Sequence, residues 1–343
     1  MPNTRKRATI KDVALAAKVS PMTVSNVLNN NMQYVSSKTK ARVEREIARL
    51  NYRRQAAGRN LRYSDQRSIG LIVVSDDPAF LEDLFSTKVA AGLANSLNSA
   101  DYTMTVQGVS AAGLSDAMIM RSVDVAGVCA MISGPEEARI EVVKKLHALN
   151  QPLILFQQSN TQNIDDICTI RLDEFGSGQI MGDHLLARGV RSILALRPQQ
   201  HWFAIEKRFE GIQKAMSNTT GAPTFTTLEA ASESLISVQT ALEDYLDTNP
   251  LPDAIVGGND QIALAAMLLL AERGIRVPGD VRIAGFNGFE AHRYLRPQLT
   301  TVTSPAYDLG DQAGKLIIER LTGGTFSTRD LVLPVHFLPG GTT

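Results

Sequence analysis

The sequence predicts an all-α head of three short helices, a helix-turn-helix, followed by an α/β body in which parallel sheets are flanked by helices. In residues 9–50, apolar residues recur at helical spacing and a cap residue precedes each helix. From residue 68 onward, short apolar or β-branched runs alternate with helical stretches, which is the pattern of parallel sheets covered on both faces.

The three helices of the head begin after Thr9, Ser20 and Ser36, whose hydroxyl groups suit the N–H groups of a first helical turn. The second helix runs from Pro21 to about Leu28, and proline fits its first position because no N–H is required there. Two helices joined by a short turn, the second short and polar on one face, predict a helix-turn-helix. The alternative is a three-helix bundle that has no partner.

Charge divides the chain in the same place, although the net charge is zero. Residues 1–67 contain 15 Lys and Arg against 4 Asp and Glu, a net charge of +11, so the remaining residues carry −11. A basic head on an acidic body is typical of a polyanion-binding module attached to a domain that avoids the polyanion. A basic face that is merely solvated is the alternative.

The body contains eight predicted strands with helices between them. The strands cover residues 68–74, 102–108, 127–132, 152–157, 167–172, 192–196, 254–257 and 281–286, and helices include 82–99, 178–187 and 262–273. About 275 residues are too many for one such sheet and suit two lobes. Ligands of open α/β sheets bind beyond the carboxyl ends of the strands, so a cleft between the lobes is the predicted ligand site.

Composition argues against several classes of protein. Hydrophobic residues make up 44% and charged residues 20%, which is ordinary for a globular chain. No apolar run reaches the ~20 residues needed to cross a bilayer, and no signal peptide is recognisable, so we expect a cytoplasmic protein with no membrane partner. Cys129 and Cys168 each lie in an apolar run and are expected to be buried, inert thiols.

No motif typical of an enzyme or a metal site is present in the sequence. The glycines at 176, 178 and 182 miss the dinucleotide-binding spacing, and there is no Walker loop. The five histidines are scattered without the spacing of metal ligands. We therefore expect no catalytic residues, cofactor or metal. A pure solute-binding protein is a further alternative, but it would leave the basic head unexplained.

The head resembles the DNA-binding domain of LacI/GalR-family regulators. The matching segments are residues 9–14 (Thr-Ile-Lys-Asp-Val-Ala), 19–25 (Val-Ser-Pro-Met-Thr-Val-Ser), 27–29 (Val-Leu-Asn), 35–36 and 50–52 (Leu-Asn-Tyr). In that family the second helix enters the major groove. The resemblance implies DNA contacts in the head by Thr9, Pro21, Met22, Thr23, Ser25, Asn26, Asn29 and Tyr52.

The residues carried over as base readers have a chemical consequence. Pro21 and Met22 offer only apolar contact, for instance to a thymine methyl group, whereas Thr23 and Ser25 are placed near phosphates. Asn26 stands where many relatives have Arg or His. Because Asn suits N6 and N7 of adenine, we predict an A·T pair opposite Asn26.

A hinge helix is implied after the head. In the family it folds on DNA and inserts a leucine from each subunit into the minor groove, a device that kinks the duplex. Leu61 matches that leucine, and Ala56, Ala57 and Arg59 match the helix around it. Gly58 replaces a typical alanine, which costs about 1 kcal/mol of helix stability. A simple linker over 55–65 is the alternative.

The body is similar to periplasmic sugar-binding proteins, the two-lobed body type of this family. The implied domains are a DNA-binding domain at 1–54, a hinge at 55–67 and a ligand-binding and dimerisation core at 68–343. Within the core, the N-lobe comprises about 68–166 and 301–322 and the C-lobe about 167–296. Chain crossings between the lobes are expected near 165–173, 288–300 and 321–327.

Ligand-binding residues follow from the same resemblance. They are Asp77, Phe80, Gln157, Trp202, Phe203, Arg208, Asn259 and Asn287. For the aromatic residues, packing alone is the alternative to stacking on a ligand. Gln157 and Asn287 replace aspartates common in relatives, and amides donate as well as accept. This favours a ligand with acceptors, such as a sugar acid, over a neutral sugar.

Together these features imply a ligand-responsive transcriptional regulator, with repression as the function typical of the family. A homodimer reading a pseudo-palindromic operator in double-stranded DNA is expected, because two heads require two half-sites related by a two-fold axis. A small sugar-like effector in the cleft would then change operator affinity, and the operator would change effector affinity by the same factor.

Overall fold

The structure is a computed structural model. It describes residues 8–28, 31, 33, 35–50, 52, 67–77, 80–121, 125–159, 164–217, 219, 221 and 223–343. The chain forms two compact units, Met1–Gln66 and Arg67–Thr343. Asn29 and residues 53–66, which include the hinge positions Ala56, Ala57, Arg59 and Leu61, lie outside the described residues.

The head contains three helices, α1 (Ile10–Ala17), α2 (Pro21–Leu28) and α3 (Ser37–Arg49). Thr9 and Asp12 form a capping box: Asp12 N donates to Thr9 Oγ1 at 3.3 Å and Thr9 N donates to Asp12 Oδ2 at 2.7 Å. Ser36 Oγ accepts from Thr39 N at 3.2 Å at the start of α3. The three predicted helices are confirmed.

A small apolar core orients these helices. Its buried members come from all three helices and the segment before α3: Val13, Ala14, Ala17, Val24, Val27, Val35 and Val43. Leu28, Ile47 and Leu50, which the sequence places inward, are partly buried against this core. Because Val24 and Val27 bury one side of α2, the polar side of that helix is left facing solvent.

The body alternates strands with helices throughout. The strands are β1 (Ser68–Val74), β2 (Thr103–Val109), β3 (Gly127–Ile132), β4 (Leu153–Phe156), β5 (Ile167–Leu172), β6 (Ser192–Pro198), β7 (Thr224–Ala230), β8 (Ala254–Gly257), β9 (Arg282–Ala284), β10 (Thr301–Val302), β11 (Asp330–Leu333) and β12 (Phe337–Leu338). The helices are α4 (Leu84–Ser99), α5 (Met118–Arg121), α6 (Glu136–His147), α7 (Glu174–Ala187), α8 (Phe203–Ser217), α9 (Leu235–Thr248), α10 (Asp260–Glu272) and α11 (Ala306–Gly323). Strands β7, β10, β11 and β12 are additions to the predicted set.

The strands form two parallel sheets. The larger has the order β11-β5-β4-β3-β1-β2, and the smaller has the order β7-β6-β8-β9. Strands β10 and β12 pair antiparallel, with Val302 opposite Phe337. Every residue of β3, β4 and β8 is buried, because helices cover both faces of each sheet. The predicted fold class is confirmed.

Each lobe contains one pair of helices that cross in close contact at glycine residues. In the first lobe, α4 and α11 meet at Gly92 and Gly310, where a Cβ would overlap carbonyl oxygens of the partner helix. In the second lobe, α7 and α8 meet in the same way at Gly178 and Gly211. A Cβ at Gly178 would overlap the carbonyl oxygen of Arg208, so this glycine allows α8 to hold Arg208 close to α7.

The predicted lobe boundaries are wrong by one strand at three places. Strand β10 packs in the core of the second lobe, where Val302 belongs to one buried cluster with Ala284 and Phe286, whereas the prediction assigned residues from 301 onward to the N-lobe. Strand β5 pairs with β4 in the first sheet, with Ile154 opposite Cys168, whereas the prediction assigned residues from 167 onward to the C-lobe. Strand β11 also joins this sheet, beside β5, so the last crossing follows Leu333 rather than 321–327. The physical reason is that backbone pairing with β4, and not the composition of the strand, decides which sheet β5 joins.

The start of the first body helix also differs from the prediction. The predicted helix begins at residue 82, whereas α4 starts at Leu84, and Asp83 is its N-cap, accepting from Phe85 N at 3.0 Å and Ser86 N at 2.9 Å. Across the described residues, no helix is both long and apolar enough to span a bilayer.

Candidate functional site

The exposed side of α2 contains the residues predicted to read bases. Pro21 is exposed, and the Met22 side chain is 62% exposed although it is apolar. Asn26 lies four residues after Met22, so both side chains share one face of the helix. Thr23 and Ser25 are partly exposed beside them. The structure therefore brings the predicted α2 residues together on one accessible surface.

Two other predicted DNA contacts have local structural partners. Thr9 uses its hydroxyl group in the capping box of α1, where it donates to Asp12 at 2.7 Å. Tyr52 packs against the head core and donates its backbone N–H to Ile47 O at 3.0 Å. Both residues hold the helices in place, and Thr9 is in addition exposed to solvent.

Basic side chains outnumber acidic ones in the head. Among the described residues of the head there are seven Lys and Arg, namely Lys11, Lys18, Lys38, Lys40, Arg42, Arg45 and Arg49, against three Asp and Glu. Two of them pair locally, Lys40 with Glu44 at 3.8 Å and Arg49 with Glu46 at 2.6 Å. Exposed pairs of this kind contribute little to stability, so the head keeps a positive field suited to phosphates.

The body has two adjoining cavities between its lobes, at the carboxyl ends of the strands. The inner cavity of about 60 Å³ is mainly apolar and is lined by side chains that include Phe156, Trp202 and Ile205. The outer cavity of about 960 Å³ shares Asp83, Trp202 and Glu233 with it. Ligand pockets usually have about 300–1,000 Å³, so a sugar-sized ligand would extend from one cavity into the other.

Arg208 lies at the floor of the inner cavity in a buried ion pair. Its Nε donates to Glu174 Oε2 at 2.6 Å and its Nη2 to Glu174 Oε1 at 2.9 Å, and both side chains are at most 3% exposed. Nη1 donates to the carbonyl of Gly258 at 2.8 Å, and Nη2 also donates to Asn287 Oδ1 at 3.0 Å. Nη2 lies 3.3 Å from Ser304 Oγ as well, so the partners found among the described residues use four of its five N–H groups.

Both amides that replace aspartates belong to the same network. Gln157 donates from Nε2 to Glu174 Oε1 and accepts from Leu172 N at 2.8 Å. Asn287 Oδ1 accepts from Arg208 and from Ser304 Oγ at 3.0 Å. These residues have φ of +50° and +110°, a region that non-glycine residues occupy only when their surroundings impose it. Gln157 comes from the first lobe and Asn287 from the second, so the network joins the lobes.

Asn259 caps α10 and also contacts an acid that sequence reasoning missed. Its Oδ1 accepts from Ile262 N at 3.0 Å, and its Nδ2 donates to Glu233 Oε2 at 2.7 Å. Glu233 follows β7 and lines both cavities. Burial, followed by the nearby charge of Asp83, raises the pKa of Glu233 to about 7. The neighbouring Asp260 has a structural role, accepting from Thr301 Oγ1 at 2.6 Å.

The remaining predicted cleft residues are placed as follows. Asp77 is exposed and lines the outer cavity, as does Phe80, which packs over Gly108. Trp202 lines both cavities. Phe203 lines the inner cavity, and the side-chain cations of Arg139 and Lys207 each lie 5.6 Å from its ring centre. All eight predicted ligand residues therefore border the two cavities.

Direct hydrogen bonds join the lobes beside the outer cavity. Gln200 Nε2 donates to Ser75 Oγ at 2.7 Å and to Ser133 Oγ at 2.6 Å. Arg139 of the first lobe pairs with Glu206 of the second at 3.1 Å. The cleft therefore adjoins the contacts that fix the relative position of the lobes.

Glu174, Glu233 and Asp83 are the functional candidates that sequence reasoning missed. Glu174 had one detectable signal, because it follows Asp173 in the first turn of α7 directly after a lobe crossing. Glu233 had no such signal, since β7 was not predicted and the Glu233 carboxylate could not be distinguished from the other charged residues of the sequence. Contacts between distant segments decided its position.

The cysteines match their expected burial. Cys129 and Cys168 are both completely buried. Burial raises the pKa of the Cys168 thiol to about 12 and raises that of Cys129 as well, so neither forms a reactive thiolate near neutral pH. Among the described residues, no group of three His, Cys, Asp or Glu is placed to hold a metal ion.

A basic helix-turn-helix head and a two-lobed α/β body with a cleft define a ligand-responsive, DNA-binding transcriptional regulator. Comparison with known families agrees: the model for bacterial regulatory proteins of the lacI family matches residues 9–55, and that for a periplasmic binding protein-like domain matches residues 182–343.

Individual relatives cover nearly the whole chain. It is 30% identical to the HTH-type transcriptional repressor PurR of Haemophilus influenzae (strain PittEE), over 92% of this chain and 91% of that one. It is 26% identical to the ribose operon repressor of Bacillus subtilis (strain 168), over 98% of both chains. Its fold matches the lac repressor dimer bound to operator and the anti-inducer ONPF, with a TM-score of 0.83 at 24% identity, covering 98% of this chain and 99% of that one. The chain belongs to the LacI family of transcriptional regulators, and the resemblance seen in the sequence is confirmed.

Proposed function

We propose that this regulator is a homodimeric repressor that binds a pseudo-palindromic operator, and that a small sugar-like effector in the cleft changes its operator affinity. The observation that carries the proposal is the combination, in one chain, of an exposed polar face on α2 and a cleft whose polar residues come from both lobes. The relatives named as repressors, and the lac repressor dimer bound to operator, support the same assignment.

In the DNA complex, α2 lies in the major groove. Met22 contacts a thymine methyl group and Asn26 forms two hydrogen bonds to an adenine, while Thr23 and Ser25 contact phosphates. Asn29, Thr9 and Tyr52 complete the contacts of the head. These roles rest on the exposure of α2 and on the match to the family.

The hinge positions receive their roles from the family match. Leu61 inserts into the minor groove, and Ala56, Ala57 and Arg59 form the helix that carries it. These contacts require the two hinges to lie side by side at the operator centre, which makes dimerisation part of DNA recognition.

The effector occupies the inner cavity and part of the outer one. Asn259, Asn287 and the remaining N–H of Arg208 supply donors, and Trp202 and Phe203 supply apolar surface for a sugar ring. We propose a hydroxyl-rich sugar rather than the sugar acid, because the charge of Arg208 is neutralised by Glu174 and Gln157 uses its amide within the protein. Hydroxyl-rich ligands fit these groups better.

Effector binding controls DNA affinity by favouring one arrangement of the lobes. The Gln157–Glu174–Arg208–Asn287 network and the Gln200 contacts join the lobes, so a ligand among them changes the balance between arrangements. The coupling in this kind of system is about 1–3 kcal/mol, which corresponds to a change in operator affinity of roughly 5- to 150-fold.

The test is a fluorescence-anisotropy titration of the full chain with labelled duplex from its own upstream region and with a scrambled duplex of equal length. We expect preference for one upstream segment, binding that weakens steeply with salt, and loss of preference in Asn26→Ala. Glu272→Gln, an exposed change remote from both cavities, serves as the control and should bind as the wild type does. Equal affinity of the wild type for every duplex at low ionic strength would overturn the proposal.

A further inference from the structure

The outer cavity is acidic. Its lining includes five carboxylate residues, Asp76, Asp77, Glu82, Asp83 and Glu233, and no Lys or Arg. His201 is the remaining titratable residue among those that line it. A cleft lined by one sign of charge between low-dielectric walls concentrates the field and attracts ligands of the opposite sign. The outer cavity therefore favours a cationic ligand over an anionic one.

Glu233 has a carboxylate oxygen available to a ligand. Its Oε2 accepts from Asn259 at 2.7 Å, whereas its Oε1 accepts no hydrogen bond within the described part of the chain. The Glu233 side chain is partly buried, and burial raises its pKa to about 7, with Asp83 and Asp77 acting in the same direction. A desolvated carboxylate with one free oxygen is stabilised most by a charged donor.

The cation of the inner cavity does not provide that charge. Arg208 gives two hydrogen bonds to Glu174, and the two side chains are at most 3% exposed. Its effect on the pKa of Glu233 is smaller than those of burial and of Asp83. Arg208 therefore leaves the ionised form of Glu233 open to a cation that a ligand brings.

An aromatic side chain borders the same two cavities. Trp202 lines both cavities together with Glu233 and Asp83. The face of an indole ring attracts cations as well as apolar surface. A carboxylate and an indole that border one cavity form a suitable environment for an ammonium group.

Resting on the proposed function, we infer that the effector carries a cationic nitrogen, as in an amino-substituted polyol, and that Glu233 is the residue that selects it. The nitrogen donates to Glu233 Oε1 at the junction of the two cavities, and the hydroxyl groups of the ligand extend toward Asn259 and Asn287. Glu233 acts through charge, so its contribution depends on its ionisation.

The pH dependence has a defined sign. The charged or polar groups that line the cavities with Glu233 include Asp76 and Asp77 after β1, Glu82 and Asp83 before α4, His201 before α8, Arg208 on α8 and Asn259 before α10. A cation binds the ionised form of Glu233 more tightly than the protonated form, so affinity for an amine rises as pH increases through about 7. Affinity for a neutral sugar lacks this rise.

The experiment compares matched ligands that differ in one substituent. Glucosamine, glucose and gluconate, with the corresponding amine, hydroxyl and acid members of the galactose and ribose series, are screened by thermal shift against the full chain. Binding is then measured by calorimetry at pH 6 and pH 8 for the wild type, Glu233→Gln and the control Glu272→Gln. Glu233→Gln keeps the size of the side chain and an acceptor for Asn259.

We expect the amine members to raise the melting temperature most, to bind more tightly at pH 8, and to lose roughly 10- to 100-fold in affinity in Glu233→Gln but not in Glu272→Gln. Stabilisation by neutral or acidic members alone, or equal amine affinity in Glu233→Gln, would overturn this inference and leave the proposed function standing. If no compound of any series shifts the melting temperature, the sugar-like effector of the proposed function is refuted, and this inference with it.

Discussion

The buried pair of Arg208 and Glu174 allows the sharpest test of how the cleft is built. In Arg208→Met, Glu174 loses two charge-assisted hydrogen bonds and keeps only Gln157 and a long contact to Ser177 as donors. Removing one partner of a buried pair costs about 3–5 kcal/mol, because the other charge remains buried without its counter-ion. For a domain of this size that corresponds to a melting temperature lower by roughly 10 °C.

The assay is calorimetric melting of the wild type, Arg208→Met, Glu174→Leu and the double variant. The double variant should be more stable than the sum of the single losses predicts, since it leaves no unpaired charge. Arg276→Met is the control: Arg276 forms a pair with Asp280 at 2.6 Å on the surface, and its loss should leave the melting temperature nearly unchanged. If Arg208→Met has the melting temperature of the wild type and loses only effector affinity, Arg208 serves to bind the ligand. The interpretation of this pair as a structural ion pair is then refuted.

Three further predictions test the head, the helix packing and the pH response. Asn26→Arg should change the preferred base pair at one operator position from A·T to G·C in a selection from random DNA, since Arg suits guanine; an unchanged preference at every position would contradict the assigned role. Gly178→Ala should destabilise the body by more than about 2 kcal/mol and displace Arg208, because the new Cβ overlaps the Arg208 carbonyl oxygen. Gly323→Ala is the control: a Cβ there meets no atom within 4 Å, so this variant should have the melting temperature of the wild type. The raised pKa of Glu233 means that the stability associated with its protonated form is complete below pH 4.5 and is lost as pH rises to about 7. The melting temperature of Glu233→Gln should therefore rise relative to that of the wild type across this interval. An equal difference in melting temperature between the two proteins at pH 4.5 and at pH 8 would count against a desolvated carboxyl group.

Much of the fold could be read from local pattern. Thr9, Ser20 and Ser36 mark the helix starts of the head, because a cap depends on neighbours within one turn. Strands β1, β3, β5 and β8 have the predicted bounds, since each is a continuous apolar run. Strand β7 was missed because it lies at the edge of its sheet and most of its residues are exposed or partly exposed. Its sequence therefore lacks the apolar run that marks a buried strand.

The lobe boundary and the floor of the cleft required pairing information. Nothing in residues 167–172 alone indicates which sheet they join, and the pairing of Ile154 with Cys168 decides it. Arg208 was found through the family match, but its partner Glu174 comes from a segment more than 30 residues away in sequence. The roles of Gln157 and Asn287 likewise depend on the bonds they make rather than on their residue types.

The sequence by itself determined the class of this protein: the capped reading helix, the excess of positive charge in residues 1–67 and the alternation of strands and helices are local properties, and they point to a DNA-binding head on an α/β body. Only the tertiary structure decided the chemistry of the cleft. It neutralised Arg208 with Glu174 and placed Glu233 beside Asp83 at the mouth of a cavity. Charges in a folded protein act over a few ångströms of space and not along the chain, so their balance appears only when distant segments meet.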